Sequence, residues 1–369
     1  MIRTHRRLTA AALALALVVV SLGAWVRLSD AGLGCPDWPG CYGHLVGVPD
    51  QAHEIAAAQA AFPGKPVEAP KAWKEMIHRY AAGGLGLVIA ALALLAWRQR
   101  KQRSPWLELG LLAVVSGQAL LGMLTVTRLL KPLIVTSHLL GGMTTLALLV
   151  LLWLRQRPAG PALAVSGALR LLAAAALAAV VVQIALGGWV SSNYAAAICA
   201  DFPTCQGSWW PAMDVHHAFT LDRELGATAS GALLPAAALT AIHWAHRLFA
   251  CVVLVVVGSF GIQLLGQRRL SGYGLVLLVA LAGQVSLGIA NVLLQLPLPL
   301  AVAHNTGAAL LLCAVLAACA RVFQPRNGSW TRPMVRLGGC LARSDNAAGS
   351  CLQGGATKPG ARPGVPAGV

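Results

Sequence analysis

Of the ten histidines in this chain, four stand at duplicated positions. His78-Arg79 returns as His246-Arg247, and His138 returns as His304, 166 positions on. The other six, His5, His44, His53, His216, His217 and His243, have no histidine at the matching place. Each of the four paired histidines lies near one end of a long apolar run, where a polar side chain is costly and calls for a reason. An interhelical hydrogen bond is the plain reason. Metal ligation is the sharper one, because two imidazoles from facing helices of a four-helix bundle supply both axial ligands to a haem iron. The duplication then predicts one site per half, His78 with His138 and His246 with His304.

The neighbours of these histidines carry further chemistry. Glu75 precedes His78 by three residues, one turn away on the same helical face, whereas the matching residue before His246 is His243. An acid beside only one of two sites suggests a division of labour, with Glu75 accepting a proton or holding a water next to a substrate. The competing reading is a surface acid at a helix N-terminus. Arg79 and Arg247 stand where a guanidinium can pair with haem propionates or snorkel to lipid phosphates. Gly83, Gly84, Gly86, Gly141 and Gly142 would let a macrocycle approach the backbone, although helix packing alone also selects glycine.

Four of the nine cysteines form two pairs at one spacing, Cys35 with Cys41 and Cys199 with Cys205. In an oxidising compartment each pair can close a short loop as a disulfide, braced by a proline and an aspartate that favour a turn. A thiol pair that exchanges electrons is the alternative. Zinc fits less well, since neither loop holds a second pair of ligands at the usual spacing, with only His44 and His216 or His217 to supplement it. Cys251, Cys313 and Cys319 read as small apolar packing residues, and Cys340 and Cys351 as free thiols in the tail.

The elements that must position these residues follow from a repeat. Trp25, Cys35, Asp37, Pro39, Cys41 and Gly43 return as Trp189, Cys199, Asp201, Pro203, Cys205 and Gly207, each 164 positions on, and Gly117-Gln118 with Leu121-Gly122 returns as Gly283-Gln284 with Leu287-Gly288. A repeat defines the architecture to which its motifs belong. With 57% hydrophobic and 11% charged residues and a mean hydropathy of +0.69, the chain is too apolar to cover a water-soluble globule. Apolar runs of spanning length fall near 8–26, 80–97, 107–127, 133–154, 169–190, 242–266, 273–294 and 299–322. The expected fold is therefore an all-α integral membrane protein, eight transmembrane helices arranged as two parallel-repeat four-helix bundles. The boundaries are 1–158 for the N-terminal bundle, 159–325 for the C-terminal bundle, and 326–369 for a disordered cytoplasmic tail rich in Gly, Pro, Ala and Arg.

A signal peptide is the rival reading of the first run, but that run ends in the same Gly-Trp-Val region as the fifth, so cleaving it would remove one member of a matched pair. Lysine and arginine gather at Arg3, Arg6, Arg7, Arg98, Arg100, Lys101, Arg103, Arg155, Arg157, Arg170, Arg268 and Arg269, which places both termini in the cytoplasm. The net charge of +16 thus reports orientation, and nothing in its pattern points to a nucleic-acid partner.

Trp25-Val26-Arg27-Leu28, Gly32-Leu33-Gly34-Cys35-Pro36-Asp37-Trp38-Pro39, Glu75-Met76-Ile77-His78-Arg79, Ile242-His243-Trp244-Ala245-His246-Arg247 and His304-Asn305-Thr306-Gly307 together resemble the haem A synthase family over residues 8–325. The resemblance implies oxidation of the C8 methyl of haem O to a formyl group, making haem A for oxidases of the cytochrome c oxidase type. It implies that His246 and His304 hold a haem B cofactor, and that His78 and His138, with Glu75 alongside, receive the haem O substrate. It further implies a substrate site open to membrane lipid and delivery from a haem O synthase (protohaem farnesyltransferase), in the bacterial inner (plasma) membrane. The loop cysteines match cysteine-bearing members, with loop bracing the favoured role over redox chemistry. The basic tail and the long loop from Asn193 to Ala241 depart from the family pattern, and a homo-oligomer is left open.

Two rivals of other classes fit the four histidines. One is a non-enzymatic diheme b-type membrane electron carrier, which has no evident need for an acid in one half alone. The other is a haem-handling protein that loads haem without converting it.

Overall fold

Long apolar stretches without internal proline have one economical way to satisfy their backbone groups in lipid, which is to form helices. In the computed structural model, which describes residues 2–157 and 163–324, the chain is all-helical. Its elements are α1 (Ile2–Leu28), α2 (Ala52–Ala61), α3 (Ala69–Arg98), α4 (Trp106–Thr127), α5 (Pro132–Arg155), α6 (Gly167–Ser192), a 3-10 turn (Ala195–Ala197), α7 (Val215–Ala218), α8 (Ala236–Leu265), α9 (Ser271–Leu293) and α10 (Leu298–Val322). Eight of these, all but α2, α7 and the 3-10 turn, are long and apolar enough to cross a membrane. Among the described residues β pairing is limited to isolated bridges, two of which, Cys41 with His44 and Cys205 with Ser208, close the cysteine loops.

Besides α1, which starts at Ile2 rather than near residue 8, two helices start earlier than hydropathy suggests. The apolar runs expected from residues 80 and 242 begin inside helices that start at Ala69 and Ala236. The added turns of α3 carry Lys71, Lys74 and Glu75, and those of α8 bury Ala238, Ala241 and Ile242 against Trp189, Ala195 and Ala218. Contact with the loops, rather than apolarity over a whole window, extends the helix there.

The helix contacts run around α1, α3, α4 and α5 and back to α1, and likewise around α6, α8, α9 and α10 and back to α6. α10 also touches α1 and α5, and α5 touches α6. Hydroxyl pairs join the two sets, with Ser21 Oγ 2.8 Å from Thr306 Oγ1 and Thr136 Oγ1 3.1 Å from Ser192 Oγ. Met1–Thr331 make one compact unit, so the two halves expected at 1–158 and 159–325 are packed together within it. The second unit, Arg332–Val369, and the tail expected from 326 lie outside the described residues. The first run is a packed member of the bundle, touching α3, α5 and α10.

The duplication is also written in the backbone. Positive φ angles at Leu129 and Leu130 (47° and 59°) return at Gln295 and Leu296 (58° and 61°). They close α4 and α9 through matching bonds, Leu130 N–H to Thr125 O at 2.8 Å and Leu296 N–H to Asn291 O at 2.7 Å. Side chains other than glycine tolerate this left-handed region only at a cost, so its recurrence marks the same tight turn built twice. The largest buried cluster includes Ile89, Leu146, Leu149, Val257, Phe260 and Leu277, with the small residues Ala12, Ala16, Ala173 and Ala176 between helices. Such interfaces cohere in lipid through close packing, since lipid tails are as apolar as leucine.

Candidate functional site

The four paired histidines occupy four different helices. α3 carries His78, α5 carries His138, α8 carries His246 and α10 carries His304. His78 and His138 are close enough to interact electrostatically, as are His246 and His304. Each imidazole lies against a glycine of the neighbouring helix. A Cβ added at Gly23 of α1 would stand 3.1 Å from His78 Cε1, and one at Gly187 of α6 would stand 3.1 Å from His246 Cε1. The corresponding distances are 3.5 Å from Gly122 of α4 to His138 and 3.0 Å from Gly288 of α9 to His304. The rings thus sit in four glycine seats, two pairs related by the repeat.

These seats are the residues that sequence reasoning missed. Of the glycines following the histidines, Gly83, Gly86 and Gly142 border open space, Gly84 touches Leu15 only at 4.0 Å, and Gly141 packs against the Gln118 side chain. The signal was present in the recurrence of Gly122 as Gly288 and of Gly23 as Gly187. Only packing shows that each faces an imidazole.

The donor set fits a haem better than a bare ion. Among the described residues no three His, Cys, Asp or Glu side chains gather as metal ligands. Two imidazoles from neighbouring helices would suffice to hold a haem iron, and each histidine pair has that composition. The Nδ1 atoms of His78, His138 and His304 are buried without a hydrogen-bond partner. His246 differs: the Gln183 amide reaches its Nδ1 at 3.2 Å and donates to its backbone carbonyl at 3.1 Å. The Gln284 amide lies 3.4 Å from His304 Nε2.

Outside the histidines, each cysteine pair is a closed disulfide, with S–S distances of 2.08 Å for Cys35–Cys41 and 1.96 Å for Cys199–Cys205. Asp37 accepts from the Tyr42 and Gly43 N–H groups at 2.6 and 2.8 Å. Asp201 accepts from those of Gln206 and Gly207 at 2.7 and 3.0 Å. The Thr204 hydroxyl, followed by the Gly207 and Gln206 N–H groups, holds the Asp201 carboxyl down to about 2.

The arginines hold these loops. Arg79 Nη1 donates to the carbonyls of Asp37 at 3.1 Å and Gly40 at 2.6 Å, and Arg247 Nη1 donates to those of Asp201 and Thr204, both at 2.9 Å. Arg247 Nη2 adds the Cys199 carbonyl at 2.8 Å. Buried loop carbonyls need donors, and a guanidinium fork supplies several from one rigid plane.

Glu75 belongs to the same device in the first half. It is 5% exposed, its Oε1 accepts from Arg79 Nη2 at 2.5 Å and its Oε2 accepts from the Cys35 N–H at 3.0 Å. In the second half His243 takes its place, with Arg247 Nε 3.3 Å from His243 Nε2. The carboxylate is thus a buried, fully engaged group, in contrast to the alternative of a surface acid capping a helix. His216 and His217 stay on α7, in the loop between α6 and α8, where the Asp214 carboxylate lies 2.6 Å from His217 Nδ1.

Eight apolar helices that enclose two repeat-related pairs of imidazoles define a multi-pass membrane protein built by duplication. The chain belongs to the COX15-CtaA family of cytochrome oxidase assembly proteins, whose pattern matches residues 6–316. It is 44% identical over 298 residues to a protein of Shewanella oneidensis named Heme A synthase, covering 80% of this chain and 90% of the relative. Proteins of the same name from Caulobacter vibrioides and Halalkalibacterium halodurans are 29% and 27% identical. They cover 85% and 65% of this chain and 94% and 79% of their own lengths.

Proposed function

We propose that this protein is a haem A synthase, which oxidises the C8 methyl of haem O to a formyl group and so supplies haem A for cytochrome c oxidase. The observation that carries the proposal is the duplicated set of four imidazoles, each seated on a glycine of a neighbouring helix, in a chain whose relatives bear that name. His246 and His304 would hold haem B as resident cofactor, and His78 and His138 would receive haem O as substrate. Haem B, when bound, supplies one-electron transfer. The rest of the chemistry falls to side chains of the first half.

Oxidising a methyl group also requires protons to leave, and Glu75, one helical turn from His78, is the group placed to take them or to hold a water. It acts from a fixed position, because Arg79 and the Cys35 N–H hold its two oxygens. Propionate contacts by Arg79 and Arg247 compete with the loop carbonyls those arginines hold, which couples substrate entry to loop movement. The apolar tail of haem O favours sideways entry from membrane lipid and delivery by a haem O synthase. The lysine and arginine pattern supports a bacterial inner membrane location with both termini in the cytoplasm. The recurrence of helices and turns supports two bundles related by an axis along the membrane normal.

The decisive experiment extracts pigment from purified protein made with and without a haem O synthase. Formyl-bearing haem A appearing only in the first case is the expected result. Unmodified haem in both would point to the diheme carrier or the haem-handling protein, and would end the proposal.

A further inference from the structure

The residues that follow the two disulfides form a second, unassigned feature. Each cysteine loop turns back through a bridge, Cys41 with His44 and Cys205 with Ser208, after a positive-φ pair, Tyr42-Gly43 and Gln206-Gly207. The next two residues in each loop are apolar and exposed: Leu45 and Val46 at 73% and 81%, Trp209 and Trp210 at 68% and 73%. They occupy the same repeat positions, since Leu45 matches Trp209 and Val46 matches Trp210. Four large apolar side chains left open at two matching places are unusual for loops facing water.

Their depth follows from helix length. At about 1.5 Å per residue, a hydrocarbon core of about 30 Å takes about twenty residues of helix. Counted from Arg98, beyond which Arg100, Lys101 and Arg103 mark a membrane boundary, the opposite boundary falls beside Arg79. Counted from Leu265, with Arg268 and Arg269 beyond it, the opposite boundary falls beside Arg247. These are the arginines that hold the loops. The first loop is tied at that level a second time, because the Gly47 N–H donates to the Tyr80 hydroxyl at 2.8 Å, directly after Val46. Both apolar pairs are therefore carried by loops anchored at the edge of the hydrocarbon, rather than above it in water.

We propose that Leu45-Val46 and Trp209-Trp210 insert into the leaflet on the disulfide side, at the boundary between phospholipid headgroups and acyl chains. The repeat itself argues for lipid over a protein partner. Leu-Val and Trp-Trp share apolarity but neither shape nor volume, and a protein surface reads shape whereas acyl chains ask only for apolar area. Tryptophan in particular favours this depth, with its ring among the chains and its N–H in the headgroups. Each disulfide loop is then fastened from two sides, to its helix by arginine and to the bilayer by its apolar pair. This inference depends on the spans alone and is independent of the haem assignment.

The test uses the full chain reconstituted in phosphatidylcholine–phosphatidylglycerol vesicles containing lipids brominated high on the acyl chain. The emission of wild type minus that of the double variant Trp209→Phe/Trp210→Phe isolates the pair from the other tryptophans. This difference emission is expected to lose most of its intensity with brominated lipid and little with aqueous iodide. Adding Leu45→Trp to the double variant should restore an emission with the same response. Quenching by iodide but not by brominated lipid would overturn the proposal in favour of loops in water. Protection from both quenchers would overturn it in favour of a protein contact.

Discussion

The two halves share a backbone and differ in how they hold their histidines. In the second half the Gln183 amide grips His246 at ring and carbonyl, and the Gln284 amide lies beside His304. In the first half the position matching Gln183 is Val19, and the Nδ1 atoms of both His78 and His138 are buried without a partner. Polarity in the first half is placed elsewhere. Glu75 pairs with Arg79 near the disulfide loop, and at the opposite end of the helices His5 Nε2 lies 3.2 Å from the Glu108 carboxylate, in a buried cluster with Gln156 and Thr9. Leu169 and Gly274 stand at the positions matching His5 and Glu108. One half thus sets a glutamine amide beside each histidine, while the other buries an acid, Glu75 or Glu108, at each end of its helices. On the assignment proposed above, the glutamines belong to the half that keeps its group and the acids to the half that exchanges it.

Removing a ligand should break the comparison most severely. His246→Ala or His304→Ala is expected to abolish retention of haem B, whereas His78→Ala should keep haem B and lose haem O binding. Pyridine haemochrome spectra of the purified variants distinguish the two patterns. If both variants lost the same pigment, the assignment of halves would fail.

Glu75→Ala should come next. It leaves Arg79 buried without its partner, a loss of about 3–5 kcal/mol for a broken buried pair, and haem O should accumulate bound but unconverted. Glu75→Gln keeps a hydrogen-bond acceptor for the loop and removes the titrating carboxylate. Extracted pigment from that variant therefore separates proton handling from bracing, and wild-type conversion would remove the proton role.

The glycine seats offer a smaller perturbation. Gly187→Ala places a methyl about 3.1 Å from the His246 ring, and such overpacking costs about 1–3 kcal/mol. The ring must shift, which should alter the low-spin electron paramagnetic resonance signal of haem B. Gly23→Ala should leave that signal unchanged and weaken haem O binding.

The mildest test sharpens the comparison directly by making the halves alike. Gln183→Val removes hydrogen bonds worth about 1 kcal/mol, so transfer of haem B to apomyoglobin should quicken about fivefold. Val19→Gln should slow the release of haem O by a similar factor. No change in either rate would show that the amides have no part in retention.

Much of this protein was legible as text. Eight apolar runs specify eight helices because lipid leaves a backbone few other ways to satisfy its polar groups. A repeat whose offset drifts only from 164 to 168 positions identified His78, His138, His246 and His304 together, and paired the cysteines. Local signals were weaker where contact decided the outcome. The first turns of α3 and α8 carry little hydropathic signal of their own, so their starts at Ala69 and Ala236 were not legible. Gly23 and Gly187 carry no local mark of the imidazole they face, because glycine reads the same whatever lies opposite it.

The linear chain, then, determined the membrane architecture and the inventory of duplicated histidines and cysteines, both of which depend on residue type and spacing. Tertiary structure decided the partners: which glycine receives each imidazole, which carbonyls take the arginine donors, and that Glu75 is shared between Arg79 and the backbone of Cys35. Those outcomes depend on how far apart side chains from different helices come to rest, a distance that spacing along the chain does not encode.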